Sequence, residues 1–338
     1  MIVESTFQVA WWLKNTHLQT LWSPAFRQIK PVKTRLQRLE LDDGDFVDLE
    51  WVVNDNVQAT SPVLLLLHGL EGSLDSVYIQ NLLHSVENNN WHLVVLNFRS
   101  CSKELNRLPR SYHSGETDDL SQVLQVLKRT LPEAPIMCTG FSLGGNVLLK
   151  YLGESGAESK IDFAAAISVP FLLNKASARM DKGFSRFYRN RLLRELKAKT
   201  RKKLQEHAIA LAGLRSDLDK IVTFYDFDDQ ITAPLHGFES ATDYYHSCSC
   251  RSFLNSIRSP TLILHAVDDP FMTKDVIPVA NELSESVILE LSARGGHVGF
   301  IAGRVPWQSY SYIDRRIPDW FQEQLIYNRK TSPIPEDE

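Results

Sequence analysis

Four short, almost unbroken apolar runs mark the middle of the chain: Val63–Leu67, His92–Phe98, Ile136–Thr139 and Phe163–Val169. Runs of this length without polar alternation suit strands buried on both faces of a parallel sheet. Between them, segments near 76–88, 117–130 and 142–153 carry helical spacing. Thr117-Asp118-Asp119 is a good helix start, because acids there complement the helix dipole. Residues 34–53 instead alternate polar and apolar positions around Asp42-Asp43-Gly44-Asp45, which predicts an antiparallel hairpin. Thr261–Val267 and Val287–Leu291 resume the strand pattern, and a last amphipathic helix is expected over about 317–327. The alternation predicts an α/β fold, with eight mostly parallel strands and helices on both faces.

The rhythm breaks between residues 171 and 256. Residues 175–204 hold 12 Lys/Arg against two acids, with Phe184, Tyr188, Leu192 and Leu196 at four-residue spacing. That pattern predicts an amphipathic basic helix or helix pair, with a solvated cationic face. An acidic segment follows, and its Asp228 and Asp229 read as part of a surface loop. The expected organisation is an N-terminal segment (1–33) packing on the body, a core formed by 34–170 and 257–328, a helical cap inserted at 171–256, and a loose tail at 329–338.

Composition narrows the function classes. A chain of 338 residues that is 43% hydrophobic can bury a large core, and a net charge of −4 argues against a general nucleic-acid binder. Cys101, Cys138, Cys248 and Cys250 form no CxxC pair and are too sparse for a disulfide framework, so no zinc site is expected and a reducing cytoplasm fits, and the serine chemistry read below needs neither a metal nor an organic cofactor. The N-terminus lacks the pattern of a secretory signal. The longest strongly apolar run, Phe163–Leu173, is too short to span a bilayer, so no stable membrane insertion is expected. Oligomeric state is not encoded in any of these features.

The strongest chemical signal is Gly140-Phe141-Ser142-Leu143-Gly144, between an apolar strand and a helical run. Strand, G-x-S-x-G, helix is the setting of a nucleophile elbow, in which small neighbours let the chain turn sharply and expose the serine hydroxyl. A serine at its ordinary pKa needs a base and an orienting acid, supplied later in the chain in the order acid, then histidine. Asp269 is the preferred acid, because it directly precedes Pro270-Phe271 beyond a strand end; Asp268 is the alternative, with capping of turn amides as its ordinary role. His297, between Gly295-Gly296 and Gly299 after the next strand, is the expected base. Two backbone donors should hold an oxyanion, the N–H of Leu143 and that of Leu70 in the loop His68-Gly69-Leu70-Glu71-Gly72. His68 is expected to brace that loop.

The sequence resembles the YheT-like branch of the α/β-hydrolase superfamily, which includes plant embryo-defective-type and animal abhydrolase-domain esterases. The matching stretches are Asn15–Thr20 (NTHLQT), His68–Ser73 (HGLEGS), Asn97-Phe98-Arg99, Tyr112–Thr117 (YHSGET), GFSLGGN around Ser142, Lys182–Arg186 (KGFSR), DDPFM at 268–272 and GGHVGF at 295–300. Relatives usually carry Gly where this chain has Ser100. The resemblance implies a charge-relay triad of Ser142, Asp269 and His297 and hydrolysis of a small-molecule carboxylic ester, with short- to medium-chain acyl groups expected. The same parts would serve an acyltransferase, and a catalytically idle binding protein of this fold is the reading from another class.

Overall fold

The computed structural model describes residues 1–331 apart from 28, 208–213 and 215–216; the rest of the expected tail, 332–338, lies outside the described residues. In chain order the elements before the insertion are β1 (Ile2–Glu4), α1 (Thr16–Phe26), β2 (Thr34–Glu40), β3 (Phe46–Val52), β4 (Val63–Leu67), α2 (Val77–Val86), β5 (His92–Asn97), α3 (Thr117–Thr130), β6 (Ile136–Phe141), α4 (Leu143–Ser155) and β7 (Phe163–Ile167). Between β7 and the next strand come α5 (Leu173–Met180), α6 (Ser185–Glu206), α7 (Phe224–Phe227), α8 (Ala233–His236) and α9 (Ala241–Cys248), with a π-helical turn at Asp228–Thr232. The chain closes with β8 (Thr261–Ala266), β9 (Val287–Ser292), a small pair β10 (Ile301–Ala302) and β11 (Tyr310–Ser311), and α10 (Ile313–Thr331).

One sheet runs β1-β9-β8-β7-β6-β4-β5-β3-β2, and only β3 opposes its neighbours. It has nine strands where eight were expected. The additional strand is β1, which pairs in parallel with β9 from Ile2↔Leu289 to Glu4↔Leu291. Three residues are too few to show a period of two, so the sequence pattern could not reveal it. The strand side chains divide by parity. Leu65 and Leu67 face α3 and α4 through Leu124 and Val147, whereas Leu64 and Leu66 face α2 and α10 through Leu82 and Phe321.

The hairpin turn is locked to this core by a buried cation. Arg99, just past β5, binds Asp119 of α3 through two nitrogens at 2.7 and 2.6 Å and reaches Asp43 and Asp45 at 2.7 and 2.9 Å. Next to it Ser100 adopts φ +62°, the left-handed region that favours glycine, and its hydroxyl donates to Asn106 Oδ1. The last helix is longer than expected at both ends. It contains Pro318, whose missing N–H forfeits a bond near the amino end, and it carries the chain through residues 329–331 of the expected tail. Among the described residues no helix is long and apolar enough to cross a membrane.

Candidate active site

Ser142 stands at the junction of β6 and α4 with φ 50° and ψ −116°. Such a conformation in a residue with a Cβ persists only when its surroundings enforce it. Here the Ser142 N–H donates to Ile167 O at 2.8 Å, and its carbonyl accepts from Asn146 N at 3.0 Å. The flanking glycines are needed for space. A Cβ on Gly140 would fall 2.4 Å from the Gly144 carbonyl, and one on Gly144 would fall 2.5 Å from that of His68. The elbow is therefore folded tightly against the end of β4.

Asp269 and His297 meet the serine. His297 Nε2 lies 3.0 Å from Ser142 Oγ, and its Nδ1 lies 2.8 Å from Asp269 Oδ2. The other Asp269 oxygen accepts the Phe271 N–H at 2.8 Å. The Phe271 ring stacks on the imidazole, 3.9 Å between centroids and 8° between planes. Asp268 points elsewhere and accepts the Gly296 N–H at 3.0 Å.

The loop that carries His297 rests on α1. Thr20 Oγ1 accepts the His297 N–H at 3.0 Å, and Gln19 binds the backbone of Ile301 in both directions, at 2.7 and 3.0 Å. Gly296, at φ +63°, passes so close to α1 that a Cβ would lie 2.7 Å from both Thr16 O and Thr20 Oγ1. These contacts give the Asn15–Thr20 stretch its structural purpose.

On the opposite side, the loop after β4 is held by tyrosines. Gly69 N–H donates to Tyr78 Oη at 2.8 Å, and Glu71 N–H donates to Tyr112 Oη at 2.7 Å. Among the described residues the Leu70 N–H between them donates to no protein acceptor. Leu143 opens α4, where its N–H has no intrahelical acceptor. Gly69 brings the loop against Ser142, since a Cβ there would sit 3.3 Å from Ser142 Cβ. His68 braces the loop: Nδ1 lies 2.7 Å from Gly69 O, and Nε2 accepts Phe98 N–H at 3.2 Å. Burial pushes its pKa down to about 4, so it is a neutral strut with the proton assigned to Nδ1 by that network. The insertion also grips this loop, through Lys199 of α6 at 3.0 Å from Glu71 Oε2, while Lys203 donates to the carbonyls of Asn106, Leu108 and Arg110.

A cleft of about 110 Å³ opens at Ser142 and His297 under α5, α6 and the π-helical turn, with apolar walls from Leu173, Met180, Leu192, Phe224 and Met272. Asp228 also lines it, which corrects the expectation of a surface loop. Its carboxylate accepts from Tyr245 Oη and Thr232 Oγ1, both at 2.7 Å, while Asp229 accepts the Ala241 N–H at 2.9 Å. A run of acids shows charge in a sequence but not which side faces the body. Asp228 is half-buried at the cleft, and burial raises its pKa to about 6 against the two hydrogen bonds that oppose it. Tyr245 Oη, its proton given to Asp228, accepts from Ser177 Oγ at 3.1 Å. Ser177 and Tyr245 separate the cleft from a wider groove of about 950 Å³ between α5 and α9, which does not reach Ser142.

Sequence reasoning missed Tyr78, Lys199, Phe271 and Asp228 as parts of this site. Phe271 and Tyr112 lie within stretches that carry the resemblance, whereas Tyr78 and Lys199 sit in helices whose pattern reports only an exposed and a buried face.

A family profile described as alpha/beta hydrolase fold matches residues 62–303. YheT of Escherichia coli strain K12, provisionally named an esterase, is 44% identical over 92% of this chain and 91% of its own. Phospholipase ABHD3 of Homo sapiens is 30% identical over 98% of this chain and 82% of its own. Among solved structures, the Pyrococcus furiosus esterase Pf2001 superposes with a TM-score of 0.56 at 17% identity, covering 87% of this chain and 91% of that one. That likeness is one of fold.

Proposed function

The chain belongs to the α/β-hydrolase fold family and, within it, to the YheT-like group, and from that premise we propose that it is a serine esterase acting on small carboxylic esters. The observation that carries the reading is the hydrogen-bonded series Ser142–His297–Asp269, at 3.0 and 2.8 Å. His297 Nε2 takes the proton as Ser142 Oγ attacks the ester carbonyl, and Asp269 holds Nδ1–H and stabilises the imidazolium. The N–H groups of Leu70 and Leu143 receive the oxyanion. His297 gives its proton to the leaving alcohol, then activates water to free the acid and restore the serine. Phe271 keeps the ring in this plane through both steps.

The small volume of the cleft and its apolar walls favour short- to medium-chain acyl groups. Residues 171–256 act as a cap, since α5 and α6 supply the roof of the cleft. The four buried free cysteines suit a reducing compartment, and we take the enzyme to act in the cytoplasm.

A fluorophosphonate probe tests the nucleophile. Labelling of the wild type that vanishes in Ser142→Ala and His297→Ala is expected, and a p-nitrophenyl ester series should then peak at short to medium chains. An unlabelled, folded wild type would sink the reading.

A further inference from the structure

We infer that the outer face of α6 is a docking surface for anionic lipid, which seats the mouth of the cleft on a membrane or micelle. The helix has 22 residues, about 33 Å of length, and carries nine Lys/Arg against two Glu. Its inner face is buried through Ser185, Tyr188 and Leu193. On the outer face Phe187, Arg191, Arg194 and Lys202 recur at helical spacing, and all four are exposed. Among the described residues Arg194 and Lys202 make no ion pair, and Arg191 pairs only within the helix, with Glu195. The cationic stripe is thus available to an external partner, although the chain as a whole is at −4. Its anionic remainder would repel an anionic surface, which leaves this face as the one that can approach.

The amino end of the stripe is aromatic and lies beside the chemistry. Phe184 and Phe187 are 51% and 55% exposed and stack on one another at 5.5 Å. From Phe184 the rings lead inward through Tyr188 (5.8 Å) and Phe271 (4.9 Å) to His297 (3.9 Å). Ser185 Oγ donates to Pro270 O at 2.6 Å and pins this corner to the loop that bears Asp269. His17 of α1 adds its ring against Phe184 at 4.6 Å. Exposed aromatics at one end of a cationic helical face form an interfacial surface, in which the rings enter the acyl boundary and the cations meet headgroups. A nucleic acid would use the cations but would leave the paired phenylalanines and the ring series that joins them to His297 without purpose. Docked in this way, an ester held at headgroup depth has a short apolar path to Ser142. The inference rests on the esterase reading only for what enters the cleft.

The test is flotation with vesicles of phosphatidylcholine alone or with about one third phosphatidylglycerol, using the full chain and its Ser142→Ala variant. Both proteins should float with the anionic vesicles at low salt, stay behind with the neutral ones, and dissociate largely at about 0.5 M salt. Arg191→Glu with Arg194→Glu should weaken binding by at least about thirtyfold, since each cation near an anionic surface is worth a factor of about five. Phe184→Ser with Phe187→Ser should remove the fraction that survives high salt. Both double variants should keep wild-type turnover of a water-soluble p-nitrophenyl ester, which shows that they fold. No flotation of the wild type, flotation independent of lipid charge, or binding to a DNA oligonucleotide without vesicle binding would each overturn the inference. Vesicle binding by a chain that fails to label with the fluorophosphonate would leave docking intact and remove the esterase reading instead.

Discussion

Ser142 stands between two walls that the chain braces in opposite ways. The His297 side is fixed mainly by backbone and by neutral side chains of α1, with Thr20 on the His297 amide and Gly296 against the helix, and one carboxylate, Asp268, accepts the Gly296 amide. The wall that carries Leu70 is fixed partly by ionisable groups of the insertion, Lys199 on Glu71 and Lys203 on the carbonyls of the 106–110 loop, while Asp228 of the same insertion faces it across the cleft. The first wall belongs to the body of the fold. The second rests on Tyr78, Tyr112 and His68 of the body and on α6 as well, so salt and movement of the insertion reach the Leu70 loop more readily than the imidazole.

The contrast can be broken most severely on the body side. Gly296→Ala puts a methyl group 2.7 Å from Thr16 O and Thr20 Oγ1 at a positive φ. We expect a loss of kcat/KM above about a hundredfold and a stability loss of about 2–4 kcal/mol, read by esterase assay and urea titration. Lys199→Met on the other side should lower kcat about tenfold with little change in KM, because the Glu71 turn loses one tether while Tyr112 remains. Lys199→Arg should recover most of that loss, and a large change in KM instead would mean that Lys199 meets the substrate.

Asp228→Asn sharpens the comparison through pH. With its folded pKa raised to about 6, Asp228 favours the native state fully below its unfolded value, and that contribution is lost as pH rises through about 6. Between pH 5 and 8 the wild type should therefore lose about 1–2 kcal/mol relative to Asp228→Asn. Thr20→Val, on the neutral wall, should show the same stability difference from wild type at both pH values. The smallest effect is expected for Ser100→Gly, where relief of φ +62° and loss of the bond to Asn106 oppose one another. The change in urea midpoint should correspond to less than about 1 kcal/mol.

The same contrast explains what could be read from the sequence. The body side was legible because its signals are local. Apolar runs mark the strands, glycines at 140, 144, 295 and 296 mark close approaches, and the relevant loops follow strand ends. The residues bracing the second wall were not legible, because each acts at a distance in sequence. Tyr78 reaches back from α2, Lys199 comes from an insertion whose periodicity tells only which face is wet, and Asp228 reads like its neighbour Asp229 in an acidic segment. β1 escaped notice for a related reason, since its pairing partner lies at residues 289–291.

That pairing bears on how the protein is made. Residues 2–4 find their neighbours only after β9 has been synthesised, and α1 follows β1 directly in the chain. The helix that supports the His297 loop is therefore made long before the loop it supports, and it reaches its place only once β9 and residues 296–301 exist. During translation the turn at Ser142 can form while His297 is still unmade, so the Ser142–His297–Asp269 series assembles only together with closure of the sheet's far edge.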